Sequence, residues 1–222
     1  MLVLFDIDGT LLHTQGAGRE STRDAMIEVF GTCSTIESHK FGGKTDWYTL
    51  IELLTPHGIT PQQIADRMSH YDQVVGRHLE RIIAGRSAAP LPGALEAVQT
   101  LRSRPDVVLG IVTGNCISTA KIKLRAAGFD PAWFAIGAYG SEAIERDHLT
   151  PIALQRAMDY SRRHFHPDQT VVIGDTVADI QCGRVIGARV IAVATGHNTR
   201  DELIAAQPDH LLEDLTTLLK VL

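Results

Sequence analysis

Cysteine is scarce in this chain. The 222 residues hold three, Cys33, Cys116 and Cys182, far apart and with no C-x-x-C pair. That excludes a disulfide framework and fits free thiols in a reducing cytoplasm. None has an arginine six positions on, so that pattern of nucleophilic cysteine and anion-binding arginine is missing too. Positive charge is not in excess: 21 Lys and Arg stand against 26 Asp and Glu, a net charge of −5. A chain so balanced is not expected to bind nucleic acid wholesale, although a local basic pocket remains compatible with it. No apolar run approaches the roughly 18 residues that span a membrane. A basic segment with a small-residue cleavage site is lacking at the start, so no leader is expected. Internal repeats and low-complexity tracts are missing as well. With 44% hydrophobic and 21% charged residues the composition is that of an ordinary globular protein rather than a disordered one. The expectation is a cytoplasmic monomer or dimer, with one large domain or a core plus a smaller insertion.

What the chain does have is a series of apolar runs that stop at polar, chemically useful residues. Leu2-Val3-Leu4-Phe5 reads as a strand buried on both faces, and it runs into Asp6-Ile7-Asp8-Gly9-Thr10. Side chains alternate along extended chain, so Asp6 and Asp8 point the same way, and Gly9 lets the chain turn straight after them. The strand therefore delivers two carboxylates to a carboxyl edge, where ligands bind in open α/β sheets. One acid there would be a solvated turn. Two acids in D-I-D-G-T-L after a buried strand resemble the first motif, DxDGT, of the haloacid dehalogenase-like hydrolase superfamily.

Three further segments are similar to that superfamily's later motifs, in the expected order. Val107–Val112 reads as a buried strand ending at Thr113-Gly114-Asn115, with a helix over Ser118–Ala127. A hydroxyl, a glycine and a polar residue at a strand-to-helix turn make a phosphate cradle, and resemble the second motif. The third motif is a cation just before a helix, usually lysine. The matching residue is Arg146, in E-R-D-H-L-T-P, which keeps the charge but departs from the usual Lys-Pro. Lys121 and Lys123 are the alternative cations, but on the helix after Asn115 they are expected to face solvent. Val171–Asp179 reads as a buried strand ending at Gly174, then Asp175 and Asp179 four apart at a helix N-terminus. Taken singly, Asp175 would be an N-cap and Asp179 a first-turn acid. Together they resemble the fourth motif, G-D-x-x-x-D.

Between the first two motifs the pattern is helical. Ala25, Met26, Val29 and Phe30 share one face, as do Trp47, Leu50, Ile51 and Leu54. A third helix opens at Thr60-Pro61-Gln62-Gln63, a capping box with proline at the first helical position, and carries the stripe Ile64, Met68, Tyr71, Val74, Val75, Leu79, Ile82. Ser87–Gly93 reads as a return linker, and Gly16 and Gly18 as the opposite hinge. Such an insert resembles the superfamily's α-helical cap; by itself it is equally a helical subdomain without a substrate role. Phe41-Gly42-Gly43-Lys44-Thr45-Asp46-Trp47 then corresponds to a loop that reaches the active site in relatives of this layout. Lys44 is the candidate to touch an anionic substrate there, or else a solvated lysine beside a Thr45 or Asp46 N-cap.

The resemblance covers nearly the whole chain and implies a three-layer, Rossmann-like parallel α/β core over residues 1–14 and 89–222, with an inserted helical cap at 15–88. The implied enzyme is a phosphatase, similar to the phosphoglycolate phosphatases and β-phosphoglucomutases, acting on a small phosphorylated metabolite. Asp6 would be the nucleophile and Asp8 the acid and base. Thr113, Gly114, Asn115 and Arg146 would bind phosphate. Asp6, the main-chain carbonyl of Asp8, Asp175 and Asp179 would hold one Mg²⁺, since oxygen ligands suit that ion and a Cys/His cluster for zinc is lacking. Asp8 also sorts the superfamily, because an enzyme that expels halide needs no acid at that position. A phosphomutase is the nearest alternative. Phosphonate hydrolysis would need Lys44 as a Schiff base, and a receiver-like signalling module would carry its acceptor aspartate on a later strand with no cap.

Overall fold

The protein is described here by a computed structural model covering residues 1–222. Six strands form one sheet in the order β5-β4-β1-β6-β7-β8, every neighbouring pair parallel. They are β1 (Leu2–Phe5), β4 (Val108–Thr113), β5 (Ile136–Tyr139), β6 (Thr170–Gly174), β7 (Arg189–Val193) and β8 (His210–Leu212). The first strand is central, and its side chains divide as alternation requires. Val3 and Phe5 join a core with α4 (Ala94–Arg102) and α5 (Ile117–Ala126), whereas Leu2 and Leu4 face α6 (Leu149–Ser161). Two apolar faces need two covering layers, so the sheet is the middle of a three-layer, Rossmann-like α/β sandwich. On the second face α7 (Val177–Val185) and α8 (Arg200–Ala205) add Ile180 and Leu203 against Val190 and Ala192.

Register decides what meets at the carboxyl edge. Phe5 pairs with Ile111 on one side and Ile173 on the other. The next residue, Asp6, therefore stands between the ends of β4 and β6, and its N–H donates to the Ile173 carbonyl at 2.9 Å. The three ends that the sequence marks with D-x-D, T-G-N and G-D become neighbours for this reason alone.

Between β2 (Leu12–His13) and β3 (Ala89–Pro90) lie α1 (Ala17–Phe30), α2 (Asp46–Leu54) and α3 (Pro61–Ile83). The two short strands pair antiparallel, Leu12 with Pro90 and His13 with Ala89, so the helical segment leaves and returns at one place. Its helices bury their stripes in a separate cluster that includes Met26, Leu50, Leu54, Ile64, Met68, Tyr71 and Val74. Thr60 and Gln63 form the expected capping box. The α3 stripe ends on Ile83, which is buried, with Ile82 only half-buried. A core cysteine, Cys116, joins this cluster, so the helices are seated on the start of α5 rather than held by the linkers alone.

Several boundaries differ from the sequence reading. The chain ends in a 3₁₀ turn over Leu215–Lys220, and another such turn, Arg146–His148, precedes α6. The return linker contains β3. At the fourth motif the N-cap is Thr176 and not Asp175; Thr176 and Asp179 form a capping box. No helix is long and apolar enough to cross a membrane.

Candidate active site

The end of β1 puts Asp6 and Asp8 into different surroundings. Asp6 is buried, and its Oδ1 accepts a hydrogen bond from Arg146 Nη2 at 2.7 Å. The same Arg146 nitrogen bonds Asp179, so one guanidinium bridges two carboxylates from opposite ends of the chain. Asp175, fully buried, accepts from Thr10 Oγ1 at 3.0 Å and from the His197 main-chain N–H at 2.7 Å, with His197 Nδ1 at 3.1 Å. Asp179 accepts from the Thr176 N–H and hydroxyl at 3.0 and 2.6 Å, so its rotamer is fixed by the cap of its own helix. One carboxylate oxygen each from Asp6, Asp175 and Asp179 lies within 4.8 Å of the others. Burial pushes the Asp6 carboxyl well above the usual range; Arg146 opposes this, and Asp179 and Asp175 add to it. For Asp179, too, burial raises the carboxyl against the pull of Arg146. These three hard oxygen donors could together hold a divalent cation.

The backbone around this cluster is trimmed to fit it. A Cβ on Gly9 or Gly196 would collide with the Asp175 carboxylate, and one on Gly174 with Asp179. Gly9 also adopts φ +83°, a left-handed conformation that favours glycine.

Asp8 points elsewhere. Its Oδ2 accepts from Lys123 Nζ and from Asn115 Nδ2, both at 2.7 Å, and Lys123 donates also to Asn115 Oδ1 at 2.6 Å. Burial alone would raise the Asp8 carboxyl; the Lys123 ammonium and the hydrogen bonds from Lys123 and Asn115 outweigh it and hold the group below its ordinary value. Lys123 was expected to face solvent and does not: it is 5% exposed, whereas Lys121 is exposed. The physical reason is helical phase. Ala120, Leu124 and Ala127 form the buried stripe of α5 and its end, and position 123 lies on that stripe. A lysine on the apolar side of a helix was the available signal. His197 lies in the turn after β7, and its ring and N–H both reach Asp175.

The phosphate-cradle candidates are close by. Thr113 is fully buried, and its Oγ1 accepts from Asn115 Nδ2 at 2.7 Å. A side chain on Gly114 would collide with the main-chain oxygen of Lys44. The Lys44 ammonium itself pairs with Glu52 and lies 5.6 Å from the Tyr48 ring centre. A cavity of about 470 Å³ opens over these groups. Asp6, Asp8, Thr113, Gly114, Asn115, Lys123, Arg146 and Lys44 line it, with Asp175 and Asp179 behind the wall, and Phe41 is its sole hydrophobic lining residue. The structure thus brings Asp6, Asp8, Thr113, Gly114, Asn115, Arg146 and Lys44 to one cavity and Asp175 and Asp179 just behind it, with the Lys44 ammonium paired to Glu52.

Comparison with known proteins gives a consistent pattern. The family described as haloacid dehalogenase-like hydrolase matches residues 1–187. A phosphoglycolate phosphatase of Synechococcus elongatus is 25% identical over 218 residues, covering 98% of this chain and 95% of that protein. The pyrophosphatase PpaX of Oceanobacillus iheyensis is also 25% identical, over 223 residues, covering 99% and 95%. Among solved structures, CbbY from Rhodobacter sphaeroides in complex with phosphate superposes with a TM-score of 0.69 at 19% identity, covering 98% of this chain and 95% of that one. At that identity the likeness is one of fold.

Proposed function

The chain belongs to the haloacid dehalogenase-like hydrolases, and from that premise we propose that it is a Mg²⁺-dependent phosphomonoesterase working through an aspartyl-phosphate on Asp6. The observation that carries the reading is the division of labour at the end of β1: Asp6 sits with Arg146 and the buried acids, Asp8 with Lys123 and Asn115. A nucleophile and a proton carrier need such different surroundings.

Asp6 would attack phosphorus as the ester P–O bond breaks, and Asp8 would give its proton to the departing alkoxide. In the second step Asp8 would take a proton from water as that water attacks phosphorus, breaking the bond to Asp6 and restoring its carboxylate. The ionised Asp8 held by Lys123 is the form the second step requires. An incoming phosphoryl group would compete for Lys123 and so favour the protonated form in the first. Thr113, Gly114, Asn115 and Arg146 would hold the remaining phosphate oxygens. Asp6, Asp175, Asp179 and the Asp8 carbonyl would hold the Mg²⁺, which supplies charge neutralisation at the phosphoryl group.

The need for that charge can be estimated. Unit charges 4 Å apart repel by about 4 kcal/mol at an effective dielectric of 20, so a carboxylate meeting a dianion faces about 8 kcal/mol. At 1.36 kcal/mol per decade that is on the order of a millionfold in rate. In the cluster itself four carboxylates, Asp6, Asp8, Asp175 and Asp179, face two permanent cations, Arg146 and Lys123, an excess of negative charge where the phosphoryl group would sit.

The substrate we propose is a small, polar phosphorylated metabolite, in keeping with a cavity lined almost wholly by polar groups, and with relatives named for phosphoglycolate and pyrophosphate. Residues 15–88 would serve as the cap over a core of 1–14 and 89–222. The test is release of inorganic phosphate from p-nitrophenyl phosphate and from a panel of metabolite monophosphates. Turnover should require Mg²⁺ and stop with chelator. No turnover on any member of the panel with Mg²⁺ present would overturn the proposal.

A further inference from the structure

Helix α5 starts without a cap of its own. Its N-cap residue is Cys116, whose side chain makes no capping hydrogen bond, and the first amides of a helix need acceptors from somewhere. They find them in the helical segment. The Cys116 N–H donates to Asp46 Oδ2 at 2.7 Å, and the Ser118 N–H donates to Asp72 Oδ1 at 3.0 Å. The Ser118 hydroxyl donates to the Asp72 carbonyl at 2.7 Å. Asp46 is the first residue of α2, and Asp72 lies in the middle of α3. One core helix is thus capped in trans by two carboxylates from two different helices.

The contact is reciprocal, and it falls on the phosphate-cradle turn. The Asp46 N–H donates back to the Gly114 carbonyl at 2.7 Å, and the Trp47 N–H to the Gly140 carbonyl at 3.1 Å. The Gly140 N–H holds the Asn115 carbonyl at 2.8 Å, closing the ring around Thr113-Gly114-Asn115. Missing side chains permit the approach. A Cβ on Gly114 would strike the Lys44 oxygen, and one on Gly76 of α3 would come within 2.8 Å of Ser118 Oγ. Cys116 is buried in the hydrophobic cluster of the helical segment, so the same residue joins the two parts by packing and by its amide.

We propose that Asp46 and Asp72 are positioning residues that make the shape of the Thr113–Asn115 turn depend on the helical segment being seated. A serine or aspartate at position 116 would cap α5 whether or not the helices were docked. With cysteine there, whose thiol is a weak acceptor, unseating the helices strips two amides of their partners and frees the Gly114 carbonyl. The turn then loses the geometry in which Thr113 and Asn115 face the cavity, and binding of an anion to that turn pulls the helices down. The activity arm of the test rests on the phosphomonoesterase reading; the structural arm does not.

The experiment uses the full chain with Mg²⁺ and four variants: Asp46→Ala, Asp46→Asn, Asp72→Ala and Asp72→Asn. Asparagine keeps an acceptor oxygen where alanine does not. Hydrogen exchange of the peptide spanning 113–120, read by mass spectrometry, should quicken about fivefold to tenfold in each alanine variant, the loss expected of one cap. It should stay within about twofold of wild type in each asparagine variant. With p-nitrophenyl phosphate, KM and the inhibition constant of inorganic phosphate should rise together, about threefold or more, while kcat changes less than about twofold. Substrate binding must first reseat the helices, and that cost enters the apparent affinity. A merely structural role would lower the active fraction, hence kcat, and leave KM alone. Unchanged exchange over 113–120 in both alanine variants would overturn the proposal, as would asparagine variants as impaired as alanine ones. Should Asp46→Ala not fold, Asp72→Ala makes the same comparison from a separate helix. A wild-type protein inert toward p-nitrophenyl phosphate would refute the hydrolase reading, and the exchange comparison alone would then decide the capping.

Discussion

Asp6 and Asp8 are two residues apart on one strand end, yet each has its own cation: Arg146 for the first, Lys123 for the second. Separate partners predict separate failures. Asp6→Asn removes the proposed attacking group, and no phosphate adduct should be found by intact-protein mass spectrometry after an acid quench. Asp8→Asn should still be phosphorylated by p-nitrophenyl phosphate, whose leaving group needs little protonation, and should then stall. An adduct on the Asp6 variant would remove it as the nucleophile. Lys123 carries a prediction of the same grain. Replacing it with methionine keeps the bulk on the α5 stripe but leaves Asp8 with Asn115 alone. Turnover of an ester with an alkyl leaving group should fall on the order of a hundredfold, the usual size of a general acid–base contribution. The loss on p-nitrophenyl phosphate should be smaller. Equal losses on both esters would place Lys123 in phosphate binding instead of service to Asp8.

At the scale of elements, the acidic end of β6 is backed by the loops after β1 and β7. Gly9 and Gly196 lie against the Asp175 carboxylate, and His197 holds it through N–H and ring. A side chain on Gly196 has nowhere to go except into Asp175. Gly196→Ala should therefore weaken Mg²⁺ binding about 10- to 100-fold by calorimetry, the range for a damaged supporting contact at a metal site. Its circular dichroism should stay that of the native fold. Unchanged Mg²⁺ affinity would mean that Asp175 is dispensable to the ion. The helices of the 17–83 segment answer to a different physics, apolar burial. Tyr71 is fully buried at the centre of their cluster. Tyr71→Ala should cost about 3–5 kcal/mol, as for other large aromatic truncations, read as a lowered midpoint in urea.

For the whole molecule, the proposed ion would tie folding to the buried acids. Asp6, Asp175 and Asp179 are packed together, with the Arg146 guanidinium paired to Asp6 and Asp179 only, an arrangement that a divalent cation should relieve. Mg²⁺ at 100 times its dissociation constant should add about 2.7 kcal/mol to stability. For a chain of this length that is an increase of roughly 5–10 °C in melting temperature. Asp175→Ala should melt at the same temperature with and without Mg²⁺. A variant that still responds fully would show the ion to be held elsewhere.

Local patterning along the chain is enough to name most elements and the candidate chemistry. Apolar runs of strand length, a run of helical stripes between glycines and linkers, and three polar strand ends follow from local patterning, because burial periodicity and turn chemistry are written in neighbouring residues. Thr60-Pro61-Gln62-Gln63 named its helix start for the same reason. Asp6, Asp8, Thr113 and Asp175 could be named because each sits where a strand stops, and Asp179 because it follows Asp175 by four at a helix start. Which groups face one another is settled only in the folded chain. Lys123 belongs to Asp8 because the phase of α5 and its place beside β1 carry the ammonium inward, and no local pattern states which carboxylate a buried lysine will meet. His197 reaches Asp175 because β7 lies next to β6. Asp46 and Asp72 cap a helix 70 and 46 residues further along, a pairing that exists only once the helical segment is seated on the sheet. Local sequence fixes the backbone's menu of shapes; partnerships between distant charges depend on register and packing, which are properties of the folded whole.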